Sequence, residues 1–487
     1  MITTLLIFFP LVAALIVFIA GQRMAPAIGI IATLIEFALG IFAYVNFDAA
    51  AGWNYEIVLP WISTLNINYA VGMDGISLAL VLLTTFLLPL ILLASLSGSL
   101  KNKKGFYVLA LIMQSALIGV FTSKDLFLFY IFWELALIPI YFICLLWGDE
   151  NRKFVTFKFF IYTLFGSLIM LAAIIYLYSV APVKSFAMEN IYNTSLTTCE
   201  QVWIFAALFL AFGIKMPVFP LHTWQPSTYT SAPVAGTMLL SGIMLKMGIY
   251  GVIRWILPVL PTALMDWGWL AMLLAIIGII YASIIAIKQS NYKTLIAYVS
   301  IAHVGLIAAG LFTNSVEGLQ GVIAQMLAHG VNVVGILFVV EILLNRTGTL
   351  EIAKLGGLRN QMPQFAVFFV VIMMASIALP STNGFVGEFL LFVGIFNINP
   401  YLAAVAGITI ILGAVYMLSS YQKIMLGEAR SEYDGVVDLT LLEKSILIPI
   451  VIVIFVLGLF PNLILDLTEP AVNGILHSVH NSIPVAN

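Results

Sequence analysis

The chain has 487 residues, of which 62% are hydrophobic and 9% charged, with a formal net charge of −2. A soluble domain carries about 25% charged residues, so this composition excludes a soluble enzyme, a nucleic-acid binder and a disordered chain, and makes lipid the solvent. The two cysteines, Cys144 in an apolar run and Cys199 in a polar segment, supply neither a disulfide framework nor a metal site and are not expected to pair.

A helix needs about 20 apolar residues to cross the hydrocarbon core. Fourteen runs qualify, at roughly 3–21, 27–46, 74–98, 105–122, 126–147, 154–180, 202–226, 232–257, 267–287, 294–312, 319–343, 364–397, 401–425 and 443–461. The first has no basic residue ahead of it, and Arg23 follows it, so it reads as a retained membrane helix rather than a cleaved signal. The longest connections are 47–73, 181–201, 426–442 and the tail after 461, so no extramembrane domain is expected.

Lysine and arginine collect in cytoplasmic loops. Segments after odd-numbered runs hold Arg23, Lys101, Lys103, Lys104, Arg152, Lys153, Lys158, Lys288, Lys293, Arg346, Lys354, Arg359, Lys423, Arg430 and Lys444; the opposite side holds Lys124, Lys184 and Arg254. The bias places both termini on the non-cytoplasmic side. Lys215 and Lys246 remain, both inside apolar runs.

A charge at the bilayer centre costs about 2.5–3.5 kcal/mol on insertion scales, so each such residue is a functional candidate. They are Glu134 in run 5, Lys215 in run 7, Lys246 in run 8, His303 in run 10, His329 in run 11 and Glu388 in run 12. Lys215 precedes Pro217 and Pro220, and Glu388 follows Pro380 through Ser381, Thr382, Asn383 and Gly384. Proline removes a backbone donor and breaks the helix. Broken backbone at membrane depth must be buried in protein or face water. Two ionisable groups therefore sit beside two broken helices.

The breaks are five runs apart. Runs 4–8 and 9–13 then form two inverted five-helix repeats, an architecture of transporters. Glu134 corresponds to His303, and Lys215 to Glu388. The expected division is 1–100 (runs 1–3), 101–260 (first repeat), 261–427 (second repeat) and 428–487 (run 14 and tail). The fold class is an all-α polytopic membrane protein.

Carboxylate, lysine and histidine all exchange protons, and the protonation of a buried lysine responds to the charge beside it. A Glu–Lys–Lys–His–His–Glu row with water between its members is a proton wire. Moving one charge against the membrane potential takes about 2.3 kcal/mol per 100 mV, and two pKa units are worth about 2.7 kcal/mol, so modest switching can gate transfer. A lone Glu134–Lys215 pair reads slightly better as a static ion pair; six groups near mid-membrane read as transport. His329 alone would read as an interhelix polar contact, and His222 as structure or function equally. Glu36 and Glu341 read as structural or lipid-interface residues. Lys158 can snorkel to the surface. Asp74 and Asp125 suit helix starts. No phosphate loop, cysteine cluster or zinc signature is present.

The stretches FYIFWELALIPIYFICLLWG (129–148), KFFIYTLFGSLIML (158–171), FGIKMPVFPLHTWQP (212–226), SAPVAGTMLLSGIMLKMGIYGVIR (231–254), YKTLIAYVSIAHVG (292–305), QMLAHGVNVVGILF (325–338) and LPSTNGFVGEFLLF (379–392) carry a resemblance. The chain resembles the antiporter-like membrane subunits of respiratory complex I, the proton-pumping NADH:quinone oxidoreductase, and most closely its chain M members. The resemblance implies that Glu134 and Lys215 match the family's input pair, Lys246 the connecting lysine, His303 and His329 the central histidines, and Glu388 the end of the axis. Glutamate there is the chain M choice, where sister chains L and N usually carry lysine. The resemblance also implies a heteromeric membrane complex with chains L and N as partners. Flavin, iron–sulfur clusters and quinone would lie in partner subunits, with no cofactor or metal in this chain. The length and the positive-inside pattern favour a bacterial inner membrane, with an organelle inner membrane as the other possibility.

Two departures stand out. After Trp224 the family reads Leu-Pro-Asp-Ala-His and then an acidic residue before Ala-Pro, whereas this chain reads Gln225, Pro226, Ser227, Thr228, Tyr229, Thr230, Ser231. That puts loop-based proton uptake in doubt. The family's Leu-Pro-Gly is Leu-Pro-Ser here at Ser381, expected to be a mild change. Alternatives from other classes are a subunit of a multisubunit cation/proton antiporter, a membrane subunit of an energy-converting hydrogenase or other donor-linked dehydrogenase, and a scaffold with a vestigial axis.

Overall fold

The structure, a computed structural model, describes residues 1–98 and 100–481. Among them, 13 helices are long and apolar enough to cross a membrane. They begin with α1 (Ile2–Ala20), α2 (Ala25–Val45), α3 (Gly75–Ser97), α4 (Lys103–Thr122), α5 (Leu126–Trp147) and α6 (Arg152–Val180). A short α7 (Met188–Tyr192) leads into α8 (Thr198–Lys215), and a short α9 (Gln225–Ser231) into α10 (Val234–Ile256). Then come α11 (Pro261–Ile287), α12 (Tyr292–Leu311) and α13 (Val316–Thr347). The twelfth run is two shorter helices, α14 (Pro363–Ser376) and α15 (Asn383–Ile398). α16 (Pro400–Met425) and α17 (Leu441–Leu459) complete the crossings.

Helices that are apolar on every side belong in a core or in lipid, and burial tells the two apart. The hydrophobic window of α10 is wholly buried, whereas those of α1, α2 and α17 are mostly open to the surroundings. α12 and α13 are nearly as enclosed as α10. The inner helices are the ones that carry Lys246, His303 and His329. The chain is a multi-pass integral membrane protein.

Two connections differ from expectation. Segment 47–73 contains a hairpin of β1 (Asn54–Ile62) and β2 (Ile67–Met73), paired antiparallel with irregularities near both ends. Its aromatic and β-branched residues suit a strand. Lys124 ties the hairpin to the α4–α5 corner through an ion pair with Glu56, while its N–H donates to Ala70 O at 2.8 Å. The tail after 461 is not a loop: α18 (Asn462–Asn481) packs against α3 and α13. Its apolar residues lie on one face only, unlike those of a spanning helix.

The two acidic helix starts are as expected. Asp74 accepts from Ser77 N at 2.9 Å, and Asp125 from Phe127 N and Leu128 N, both at 3.0 Å. Each replaces partners that a first turn lacks. Cys144 is buried and Cys199 exposed, both free.

Candidate proton axis

At the first break, α8 ends at Lys215 because Pro217 has no N–H to continue it. The turn closes through Met216 N to Phe212 O at 2.8 Å and Val218 N to Gly213 O at 2.9 Å. A carbonyl freed by the break is satisfied sideways, since Trp224 Nε1 donates to Ile214 O at 2.9 Å. Lys158 does more than snorkel: its ammonium donates to Thr223 O at 2.9 Å, on the same turn. His222 is buried, with its ring 5.6 Å from Phe219 and 5.1 Å from Tyr281.

Lys215 is 2% exposed, and among the described residues its Nζ has no hydrogen-bond partner. It lies 5.3 Å over the Trp133 ring, one residue before Glu134 on α5. Glu134 is half-buried and acts on Lys215 electrostatically, yet the two are not among the ion pairs of the described residues. The static-pair alternative therefore lacks its contact. The ammonium is held by a ring face and a nearby carboxylate, and its movement breaks no hydrogen bond.

Lys246 is fully buried on α10. Two π-helical segments, Leu240–Met244 and Val252–Ile256, flank it. Such segments leave i–4 carbonyls without their usual partner and recur at functional sites. Lys246 uses one, donating to Ser241 O at 2.7 Å, and its Nζ lies 2.8 Å from Nδ1 of His329. Gly248 allows α10 to reach the broken end of α8, because a Cβ there would stand 2.8 Å from Phe212 O and 3.1 Å from Met216 N.

His329 is 3% exposed and joins the two middle helices. Its Nε2 lies 3.2 Å from Ser300 Oγ, and its ring stands 6.0 Å from that of His303, perpendicular to it. Beside both rings is a cavity of about 20 Å³, whose polar lining is Ser300, His303, Gln325, His329, Asn332 and Ser376. That is room for about one water with polar partners.

Beyond the cavity, Gln325 Nε2 donates to Glu388 Oε1 at 3.3 Å. Glu388 is 5% exposed in the second turn of α15. The second break resembles the first in its repair. α14 stops at Ser376, Leu379 N returns to Met374 O at 3.0 Å, and Ala375 O accepts from Asn332 Nδ2 at 3.1 Å as well as from Ala378 N at 3.3 Å. Ser381 has φ 75°, in the left-handed region that glycine tolerates without strain. The departure at Ser381 is therefore a strained position rather than a mild change.

The structure thus brings Lys246, His329 and His303 together, joins Glu388 to them through Gln325 and the cavity, and keeps Glu134 and Lys215 as a loosely coupled pair one helix away. Sequence reasoning missed Ser241, Ser300 and Gln325, which carry the contacts. Ser300 stands one turn before His303, and that spacing was the available signal. Glu36 is not at the lipid interface: it is fully buried in the middle of α2, with both carboxylate oxygens unpartnered among the described residues. Glu341 lines a chamber that opens on the basic side of the protein.

Residues 123–413 match the family model described as NADH:quinone oxidoreductase/Mrp antiporter, TM, and residues 1–120 the model described as NADH-ubiquinone oxidoreductase chain 4, amino terminus. The chain is similar to NADH-quinone oxidoreductase subunit M of Rickettsia prowazekii (strain Madrid E), 38% identical over 486 residues and 98% of each chain. Its fold is similar to a chain of respiratory complex I from Thermus thermophilus with bound NADH, with TM-score 0.92 and 29% identity over 98% of this chain and 100% of that one. A chain of the Mrp complex from Dietzia sp. DQ12-45-1b shares the fold at TM-score 0.85 and 20% identity, covering 98% of each.

Proposed function

The chain belongs to the NADH:quinone oxidoreductase/Mrp antiporter family of membrane subunits, in its subunit M branch, and from that premise we propose that it is a proton-translocating module of an NADH:quinone oxidoreductase. Its axis runs Glu134–Lys215–Lys246–His303/His329–Glu388. The observation that carries this reading is the 2.8 Å approach of Lys246 to His329 inside a π-interrupted, wholly buried helix. A buried ammonium beside an imidazole is a pair of alternative seats for one proton.

Redox energy released at a distant quinone site changes the charge state of a neighbouring chain. That shifts Glu134 relative to Lys215, and Lys215 gives up its proton. The proton passes to Lys246 and the histidines, crosses the water-sized cavity, and leaves through Glu388 on the positive side. The six residues hold or move protons. Flavin, iron–sulfur clusters and quinone belong to partner subunits, and sister chains L and N flank this one in the membrane arm. The basic face is cytoplasmic in a bacterial inner membrane, with both termini on the other side. Residues 101–260 and 261–427 act as two inverted repeats, between the flanking segments 1–100 and 428–487.

A cation/proton antiporter subunit would share the fold. Glu388 and the full-length likeness to subunit M favour the oxidoreductase. The test is Lys215→Met in the assembled complex, scored as protons pumped per NADH oxidised in sealed vesicles. The share contributed by this chain should disappear; an unchanged ratio overturns the assignment.

A further inference from the structure

A chamber of about 720 Å³ opens on the basic face between α3, α5, α10 and α13. Its walls carry Lys101, Asp149, Arg152, Lys293 and Glu341. Mixed charge of this kind keeps a chamber hydrated without fixing an anion or a cation. At its inner end, Lys293 is buried and donates to Thr230 O at 3.0 Å and Ala232 O at 2.5 Å. Ser231 Oγ donates to Asp149 Oδ1 at 2.5 Å. The C-terminal end of α9 therefore forms part of the chamber floor.

The side chains of α9 reach the axis. Gln225 Nε2 donates to Ser300 Oγ at 3.4 Å, and Ser300 Oγ lies 3.1 Å from Ser241 Oγ and 3.2 Å from His329 Nε2. The fully buried Tyr229 hydroxyl has no hydrogen-bond partner among the described residues and lies near Gln225, Ser241 and Ser300. α9 has seven residues, so floor and axis are separated by about 10 Å of helix. The buried Cys144 thiol lies within electrostatic reach of Lys293 on one side and Tyr229 on the other.

We propose that this chamber is the uptake route for the second half of the axis: protons from the basic face pass Lys293 and the Tyr229 hydroxyl to Ser300, which Gln225 orients, and reach His329 and Lys246 without visiting Lys215. The inference rests on the proton-translocating reading above. Each step breaks one O–H or N–H bond and makes another. A proton accepted by Ser300 Oγ is matched by one given to His329 Nε2, and rotation of the hydroxyls resets the relay. The altered loop therefore does not remove uptake here. Its neutral Tyr229 still joins the relay, and its neutral Gln225 orients Ser300.

Four variants of the assembled complex test the route in sealed vesicles with the basic face outward. Tyr229→Phe combined with Ser300→Ala should lose this chain's share of proton pumping, while Ser300→Thr, which keeps a hydroxyl, retains it. Leu344→Cys, on the chamber wall in a Cys199→Ser background, should lose the same share when a membrane-impermeant methanethiosulfonate is added to the outer face. The parent background should not respond. Full pumping by Tyr229→Phe/Ser300→Ala, with pumping lost in Lys246→Met, overturns the route and leaves the axis standing. Full pumping by Lys246→Met overturns the axis and the route with it. If the double variant does not assemble, the modified cysteine decides: pumping unchanged after modification verified by mass spectrometry overturns the route.

Discussion

Asp74 and Arg254, 180 residues apart in sequence, form an ion pair whose side chains are 5% and 3% exposed. Asp74 also caps α3, and the Arg254 guanidinium stacks 5.0 Å from the Trp53 ring and 5.2 Å from that of Tyr250. The pair locks the end of α10 to the start of α3, which holds Lys246 at its depth. Removing one member of a buried pair leaves the other uncompensated, at about 3–5 kcal/mol. Asp74→Ala should lower the unfolding temperature of the purified complex more than Asp74→Ala combined with Arg254→Met. Equal loss in the single and double variants contradicts the pairing.

Gly387 has no chemistry of its own but governs Glu388. A Cβ at Gly387 would stand 2.5 Å from Gln325 Oε1 and 2.7 Å from Gln325 Cα. Gln325 cannot hold its bond to Glu388 with a methyl group there. Overpacking of this kind costs about 1–3 kcal/mol. We expect Gly387→Ala to reduce proton pumping as much as Gln325→Ala does, with the complex still assembled. Wild-type pumping would show that the Gln325–Glu388 contact is dispensable.

Ser381 is predicted to be improved by glycine. A non-glycine residue at positive φ costs about 1–2 kcal/mol, part of which glycine gives back through greater freedom of the unfolded chain. Ser381→Gly should therefore raise the unfolding temperature by the equivalent of about 1 kcal/mol or less. A lowered temperature would mean that the serine side chain makes a contact worth more than the strain.

Asp125 gives a pH dependence outside the spanning segments. Burial pushes its carboxyl up from 3.8 to about 6, against the lowering effect of hydrogen bonds from Leu128, Asn68 and Phe127 N–H groups. The folded state therefore binds more protons than the unfolded state between about pH 4 and 6, so this residue's contribution is full below that window and lost as pH rises through it. Asp125→Asn does not titrate. Its stability relative to the parent should improve between pH 4.5 and about 7, measured as the difference in unfolding temperature. A difference that stays constant across that range contradicts the shift.

The crossings were legible because an apolar run of sufficient length has few other uses in this composition. The breaks at Pro217, Pro220 and Pro380 were legible because a missing N–H is a property of one residue. The π segments around Lys246 were not, since LSGIM and VIRWI read as ordinary helix and only tertiary packing stretches them. Ser300, Ser241 and Gln325 were missed for a related reason: serine and glutamine in an apolar run carry no charge to flag them, and what they touch lies on another helix. The pairing of Lys246 with His329 was likewise invisible, because 83 residues separate them. α18 escaped notice because its apolar residues lie on one face and form no continuous run long enough to cross the membrane.

α18 lies with the backbone of Leu467 against Gly75, at the first turn of α3. A helix far downstream in sequence thus covers the start of the third crossing. A ribosome adds residues in order, so α3 leaves the insertion machinery with one side uncovered and keeps it so until α18 has been made. α3 must then wait for α18, and a nonsense mutation near residue 461 would be read by quality control as a fault in the N-terminal part of the bundle.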